Sequence, residues 1–273
     1  MIIYFFCGKF YLFCDTIFSY MLYVPGGLIM NYVRCIPAYI TFINAMLKAE
    51  KYKKPIEESK ARGDFPAERQ AIMDATSAFV DHLIDKWDYR IHIINPENLP
   101  DEGPAVYICN HQSYGDVLAM MKVVNKHQLG YVGKDFFAKI PVLGKWATRI
   151  RCLYLKRGNT RNSLRIINEG VEYLNDGFSL LIFPEGTRSW SSEMCEFKAG
   201  SFKLATKARV PIVPITLNGG YHLYEDQEYI RKGQTIDVLV HPPIETADMS
   251  RQELAEVPKK VEAMIREGLE QLK

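Results

Sequence analysis

The chain has 273 residues, of which 48% are hydrophobic and 24% are charged, so it can fold as one large domain with a smaller appendage. The net charge of +2 is too small to indicate a nucleic-acid partner, and the sequence contains no nucleic-acid-binding motif. None of the six cysteines belongs to a Cys-x-x-Cys pair, which predicts free thiols and no zinc or other metal site.

The first 47 residues are much more apolar than the rest and carry only three charges. The uncharged run 16–33 approaches the ~20 residues that span a bilayer, but Pro-Gly-Gly at 25–27 interrupts it. We therefore predict two apolar helices, near 1–24 and 28–48, that form a membrane-associating hairpin. The hairpin either enters one leaflet or spans the membrane twice. The alternative is a helix pair that packs on the folded domain or on another copy of the chain.

Residues 48–70 are abruptly polar, with seven Lys or Arg and five Asp or Glu. Four of the lysines directly follow the apolar segment, at positions 48, 51, 53 and 54. Positive charge beside a membrane segment predicts the cytoplasmic side and attracts anionic headgroups, although a solvated linker has the same composition. We predict two parts: a hairpin with a charged linker over 1–66, and a domain over 67–273 on the cytoplasmic face of a membrane.

An amphipathic helix is predicted over 67–88, where apolar residues recur at helical spacing. After Pro100 short apolar runs alternate with helical patterns, which indicates an α/β domain with a mostly parallel sheet flanked by helices. The predicted strands are 91–94, 104–109, 152–155, 178–183, 211–217 and 235–240. The further predicted helices are 113–127, 160–176, 201–209 and 250–272; Ser250 with Glu253 marks the start of the last.

The first candidate for chemistry is the segment 110–116, Asn-His-Gln-Ser-Tyr-Gly-Asp, between a predicted strand and a helix. The end of a strand in an open parallel sheet is a usual ligand crevice. A carboxylate from Asp116 on one ring nitrogen of His111 would leave the other nitrogen free to take a proton. Such a general-base pair suits a reaction in which the substrate brings the hydroxyl. Alternatively, Ser113 and Asp116 form a helix capping box.

The second candidate is the segment 183–189, Phe-Pro-Glu-Gly-Thr-Arg-Ser, which directly follows another apolar strand. Its glycine permits close backbone approach, and its arginine offers a planar fork of donors for a phosphate. The alternative is a surface turn with a solvated arginine. The common nucleophile-elbow, dinucleotide-binding, P-loop and zinc-protease motifs are all missing from the sequence.

Together these segments resemble the blocks of the glycerolipid acyltransferase family, and within it bacterial 1-acyl-sn-glycerol-3-phosphate acyltransferases. The His-x-x-x-x-Asp block matches at His111 and Asp116, and the Phe-Pro-Glu-Gly-Thr-Arg-Ser block matches in full. Tyr-Leu-Lys-Arg at 154–157 resembles the family's Phe-Ile-Asp-Arg block, with a lysine where an acidic residue is common. Val-Pro-Ile-Val-Pro at 210–214 resembles its fourth block. The resemblance covers about residues 90–220.

The resemblance implies a fatty acyl transfer from acyl-CoA or acyl-carrier protein to the sn-2 hydroxyl of 1-acyl-glycerol-3-phosphate, which gives phosphatidic acid in phospholipid biosynthesis. His111 would be the general base and Asp116 its partner, with no acyl-enzyme, metal or cofactor. The residues expected to bind the acceptor are Arg157, Glu185, Gly186, Thr187, Arg188 and, as an additional phosphate contact, Lys134. The expected partners are a membrane lipid acceptor, the acyl donor and the phospholipid bilayer.

Other functions remain open from the residues alone. The same chemistry could act on glycerol-3-phosphate or on another lysolipid. A non-catalytic protein that binds or tethers lipids would not need the base, and a hydrolase would use it to activate water. The sequence does not choose between the two acyl donors.

Overall fold

The computed structural model describes residues 26–124, 126–140, 142–156 and 158–273, with the backbone alone for 26–33. Within these residues, seven strands form one sheet. The strands are β1 (Arg90–Ile94), β2 (Val106–Cys109), β3 (Leu129–Lys134), β4 (Leu153–Leu155), β5 (Ser179–Ile182), β6 (Ile212–Asn218) and β7 (Thr235–Val240). The α-helices are α1 (Gly26–Ala49), α2 (Lys53–Arg62), α3 (Phe65–Trp87), α4 (Gly115–Val123), α5 (Leu143–Arg149), α6 (Thr160–Asn175), α7 (Lys203–Ala208) and α8 (Arg251–Gln271).

The strand order is β1-β7-β6-β2-β5-β3-β4. Only the β6–β7 pair is antiparallel, and the other neighbours in the described sheet are parallel. Strands β2 to β6 therefore run in one direction, and their carboxyl ends meet at one edge of the sheet. This confirms the predicted α/β fold with a mostly parallel sheet flanked by helices.

Both faces of the sheet are buried, which is why its central strands are mostly apolar. In β2, Tyr107 and Cys109 face a core that includes residues of α3 and α4. Val106 and Ile108 face the opposite core, which includes residues of α6 and α8. The alternation follows from the two-residue period of a strand.

Local signals fix several helix ends. Ser250 accepts a hydrogen bond from the Glu253 amide, and the Glu253 carboxylate accepts one from the Ser250 amide, so the predicted capping box starts α8. Asp64 caps α3 in a similar way by accepting from the Ala67 amide. Helix α6 ends at Asn175, and Gly177 with φ +86° turns the chain into β5.

Strand β3 is missing from the sequence-based prediction, and two glycines explain why. Gly130 and Gly133 break its apolar run and weaken a strand pattern. In the structure a Cβ at Gly130 would stand 2.5 Å from the Arg151 carbonyl oxygen, so close backbone packing requires this glycine. The prediction also misses α5, and it extends α4 to residue 127, although that helix ends at Val123.

The second helix of the predicted hairpin is present as α1, which begins directly after Pro25. The first, over 1–24, lies outside the described residues, so the hairpin stays a prediction. Helix α1 packs on α3 and places Ala45, Met46 and Ala49 in the core. The charged linker is largely helical, since α2 occupies 53–62. Across the part of the chain that the structure describes, no helix has the length and hydropathy needed to cross a membrane.

Candidate active site

The turn after β2 is anchored to the neighbouring strand by Asn110. This buried side chain donates to the Leu217 carbonyl at 2.8 Å and accepts from the Leu217 amide at 2.8 Å. It therefore mimics one more residue of strand pairing with β6 after β2 has ended. The backbone that follows is free to turn, and His111 lies at the carboxyl edge of the sheet.

His111 and Asp116 are paired, as the sequence spacing suggests. Nδ1 of His111 lies 2.9 Å from Oδ2 of Asp116, whose side chain is fully buried, whereas 15% of the His111 side chain is exposed. The same oxygen accepts from the amides of Gln112 and Ser113, both at 2.7 Å. Asp116 thus bonds the Ser113 amide as well as the imidazole, but its own amide donates to the Ser113 carbonyl and not to the hydroxyl, so the capping box is only half formed.

The His111 ring is also held by an aromatic contact. It stacks on Phe183 with a centroid separation of 3.9 Å and an interplanar angle of 16°. With one face on Phe183 and Nδ1 on Asp116, the ring is fixed in orientation, and Nε2 is the nitrogen left to exchange a proton. Phe183 begins the second candidate segment, 183–189, but the sequence pattern alone indicates no such stacking role for it.

Glu185 ties the second segment to the first. Its Oε1 accepts from the His111 amide at 2.6 Å, and its Oε2 accepts from the Cys195 amide at 2.8 Å. Burial raises the pKa of Glu185 above the usual carboxyl value, and these hydrogen bonds act in the opposite direction. The carboxylate therefore positions the backbone of His111.

The tip of this loop, 186–187, combines a required glycine with an exposed threonine. Gly186 has φ +66°, a conformation that favours glycine. A Cβ there would lie 2.6 Å from the Lys198 ammonium, so Lys198 lies against the loop. Thr187 is exposed beside it.

Arg188 is held on three sides. Its Nη1 donates to Glu225 Oε1 at 2.9 Å, and its guanidinium lies 3.6 Å from the Tyr114 ring centroid and 4.8 Å from that of Trp190. Tyr114 and Trp190 are about half exposed. The carboxylate that pairs with Arg188 is therefore Glu225.

Of the last two predicted binding residues, Lys134 and Arg157, the structure describes only Lys134. Lys134 is exposed and ends β3, at the same sheet edge as His111. Arg157 lies outside the described residues, so its role stays a prediction.

The arrangement combines a fixed imidazole–carboxylate pair with cationic side chains at one edge of the sheet. Such a pair can remove a proton from a substrate hydroxyl. Arginine and lysine near it can bind a phosphate-bearing substrate. Sequence reasoning found the pair and the Arg188 loop, but it missed Phe183 as a stacking partner and Glu225 altogether.

Comparisons with known proteins point to the same region. An acyltransferase family model matches residues 90–218. The chain is 35% identical over 158 residues to 1-acyl-sn-glycerol-3-phosphate acyltransferase LPAT1, chloroplastic, of Arabidopsis thaliana, covering 57% of this chain and 44% of that protein. It is 33% identical over 166 residues to a probable 1-acyl-sn-glycerol-3-phosphate acyltransferase of Mycoplasma pneumoniae, covering 57% and 62%. The chain thus spans about half the length of such curated relatives.

The fold has a close counterpart among solved structures. The crystal structure of the 1-acyl-sn-glycerophosphate (LPA) acyltransferase PlsC from Thermotoga maritima matches with a TM-score of 0.73 and 22% sequence identity, covering 90% of this chain and 97% of that one. The matched family region contains the His111–Asp116 pair and the Arg188 loop. Residues 90–218 of this chain therefore resemble an acyltransferase domain, and 90% of the chain shares the fold of that structure.

Proposed function

We propose that the protein is a 1-acyl-sn-glycerol-3-phosphate acyltransferase. It would move a fatty acyl group from acyl-CoA or acyl-carrier protein to the sn-2 hydroxyl of 1-acyl-glycerol-3-phosphate, which gives phosphatidic acid for phospholipid biosynthesis. The observation that carries the proposal is the 2.9 Å contact between His111 and Asp116 in the region that resembles an acyltransferase domain. The names of the relatives support the choice of acceptor.

In the proposed mechanism Asp116 holds Nδ1 of His111 and stabilises the imidazolium that forms. Nε2 takes the proton of the acceptor hydroxyl as its oxygen attacks the thioester carbonyl. A new C–O bond forms and the C–S bond breaks, and the leaving thiolate takes the proton back from His111. The substrate hydroxyl is the nucleophile, so the route requires no acyl-enzyme, cofactor or metal.

The acceptor phosphate would bind the cations at the same edge. Arg188 is the first of these, because its stacking between Tyr114 and Trp190 restricts a flexible side chain. Lys134 and Arg157 are further proposed phosphate contacts. Glu185 would act by holding the His111 backbone, and Gly186 and Thr187 would form the part of the loop nearest the acceptor.

We also propose that the protein associates with a phospholipid bilayer, with this domain on the cytoplasmic face. Helix α1 exposes a stripe of large apolar side chains: Ile36, Tyr39, Ile40, Ile43 and Leu47. Their spacing, i, i+3, i+4, i+7 and i+11, places them on one face of the helix. An acyl chain costs about 0.8 kcal/mol per CH₂ to expose to water, so a site near the bilayer spares that cost.

The test is acyl transfer by detergent-purified protein, with oleoyl-lysophosphatidate as acceptor and labelled acyl-CoA and acyl-carrier protein as parallel donors. We expect wild type to form phosphatidate and His111→Ala to lose about 10²-fold or more of kcat. The matched control is His92→Ala, because His92 also pairs with an aspartate, Asp237, at 2.9 Å but on the exposed surface. It should retain full activity.

Equal activity in wild type and His111→Ala would remove His111 from the mechanism. Free fatty acid without any acceptor requirement would indicate a hydrolase. If neither donor acylates lysophosphatidate, a panel of glycerol-3-phosphate and other lysolipids decides between a different acceptor and a lipid-binding protein without activity.

A further inference from the structure

Glu225 lies in the segment between β6 and β7, outside residues 90–218 that match the acyltransferase family. Its side chain is 1% exposed, although it carries a carboxylate. Burying such a group is unfavourable unless it is well hydrogen-bonded. Glu225 accepts three hydrogen bonds that offset the cost of this burial, and the partners in these bonds indicate its role.

Each of these contacts reaches a segment of the candidate active site. Oε2 of Glu225 accepts from the Ser113 hydroxyl at 2.6 Å. Oε1 accepts from the Tyr114 amide at 2.9 Å and from Arg188 Nη1 at 2.9 Å. Burial raises the pKa of Glu225, and these hydrogen bonds, which favour the charged form, oppose the rise.

The first two partners belong to the turn that carries His111 and leads into α4, and the third belongs to the loop after β5. These two segments also touch through their backbones, since the Ser189 amide donates to the His111 carbonyl at 2.8 Å. An arginine side chain has many rotamers, and fixing it in advance removes an entropic cost of ligand binding. Glu225 fixes the Arg188 side chain in this way. Its other two hydrogen bonds tie that position to the turn that carries His111.

A guanidinium has five N–H donors, so Arg188 can bond Glu225 through Nη1 and still offer donors to a phosphate. We propose that Glu225 is a positioning residue of acyl transfer. It holds Arg188 against the turn 112–114 and so fixes where the acceptor phosphate binds relative to His111. The inference rests on the proposed function, because it takes Arg188 as the phosphate-binding side chain.

The test is the steady-state kinetics of Glu225→Gln with lysophosphatidate as the varied substrate. We expect KM for the acceptor to rise about tenfold, because the phosphate itself then has to order the Arg188 side chain, while kcat falls less. Glu225→Asp keeps the charge on a shorter side chain and should give an intermediate KM. In the background of Arg188→Met, adding Glu225→Gln should change KM little further, because the two residues act together.

The matched control is Glu68→Gln, because Glu68 is another buried carboxylate that pairs with an arginine. It bonds Arg151 at 2.8 and 2.6 Å, near the start of β4 at the opposite edge of the sheet. Glu68→Gln should lower the melting temperature at least as much as Glu225→Gln but leave the acceptor KM unchanged. A change in KM in both variants would show that general destabilisation is the cause and would overturn the inference.

Two outcomes separate this inference from the proposed function. An active wild type with an unchanged KM in Glu225→Gln, or with independent effects of Glu225→Gln and Arg188→Met, overturns the role of Glu225. A wild type that does not acylate lysophosphatidate refutes the proposed function instead. Amide hydrogen exchange then tests the positioning role of Glu225. Faster exchange at 112–116 and 186–190 in Glu225→Gln, but not in Glu68→Gln, supports this role. Exchange in Glu225→Gln at the wild-type rate overturns it.

Discussion

Asp116 uses its two carboxylate oxygens differently. Oδ2 bonds the His111 ring and two backbone amides, whereas Oδ1 is buried with no hydrogen-bond partner among the described residues. An unpaired buried acceptor costs about 1–3 kcal/mol. Gly220, just after β6, packs directly against Oδ1. Because Gly220 has no side chain, the Asp116 carboxylate has room for the orientation that places Oδ2 next to the imidazole.

Gly220→Ala tests this arrangement. The added Cβ would overlap Asp116 Oδ1, so the carboxylate has to move away from His111. We expect kcat to fall about 10²-fold, as for a displacement of about 1 Å in a catalytic group, with a smaller change in acceptor KM. The control is Gly200→Ala, since a Cβ at Gly200 has nothing within 4 Å. If Gly220→Ala keeps the wild-type kcat, catalysis does not depend on the packing of the Asp116 carboxylate against Gly220.

At the scale of elements, the predictable parts are those with strong local patterns. Strands buried on both faces, such as β5, are mostly apolar, and the His111–Asp116 pair and Arg188 lie in short motifs. Strand β3 is missed because two glycines interrupt its apolar pattern, and one of them, Gly130, serves a close contact with the distant residue Arg151. Glu225 is missed because its partners lie 112, 111 and 37 residues away along the chain.

The two glycines of β3 offer a matched pair of substitutions. In Gly130→Ala the new Cβ would meet the Arg151 carbonyl at 2.5 Å, and Arg151 is held by its buried pair with Glu68. We expect a loss of about 2–3 kcal/mol in the free energy of unfolding. In Gly133→Ala the nearest atom is Phe137 Cδ2 at 3.9 Å, an ordinary contact, so the loss should stay within about 0.5 kcal/mol. Urea unfolding measures both; equal losses would contradict the packing argument.

At the scale of the whole molecule, α1 has two different apolar faces. One face packs into the core, and the other exposes the stripe from Ile36 to Leu47. Exposed apolar patches of this kind mark interaction surfaces. Helix α1 also contacts the segment that carries Glu225, because the Cys35 thiol donates to the Glu228 carbonyl at 3.0 Å and Arg34 lies over the Tyr229 ring. The segment that carries Glu225 therefore contacts both α1, the proposed bilayer-facing helix, and the candidate active site.

The stripe predicts how the protein binds vesicles. In Ile40→Glu/Leu47→Glu, two side chains that are 54% and 57% exposed become charged, so the core packing of α1 should be kept. We expect partition onto vesicles that contain anionic phospholipid to fall about tenfold, because apolar burial at the interface is lost and anionic headgroups repel the new charges. Leu164→Glu is the matched control: Leu164 is 57% exposed but lies on α6. If Leu164→Glu reduces partition as much as the α1 variant, a general charge effect explains the result and α1 is not the membrane surface.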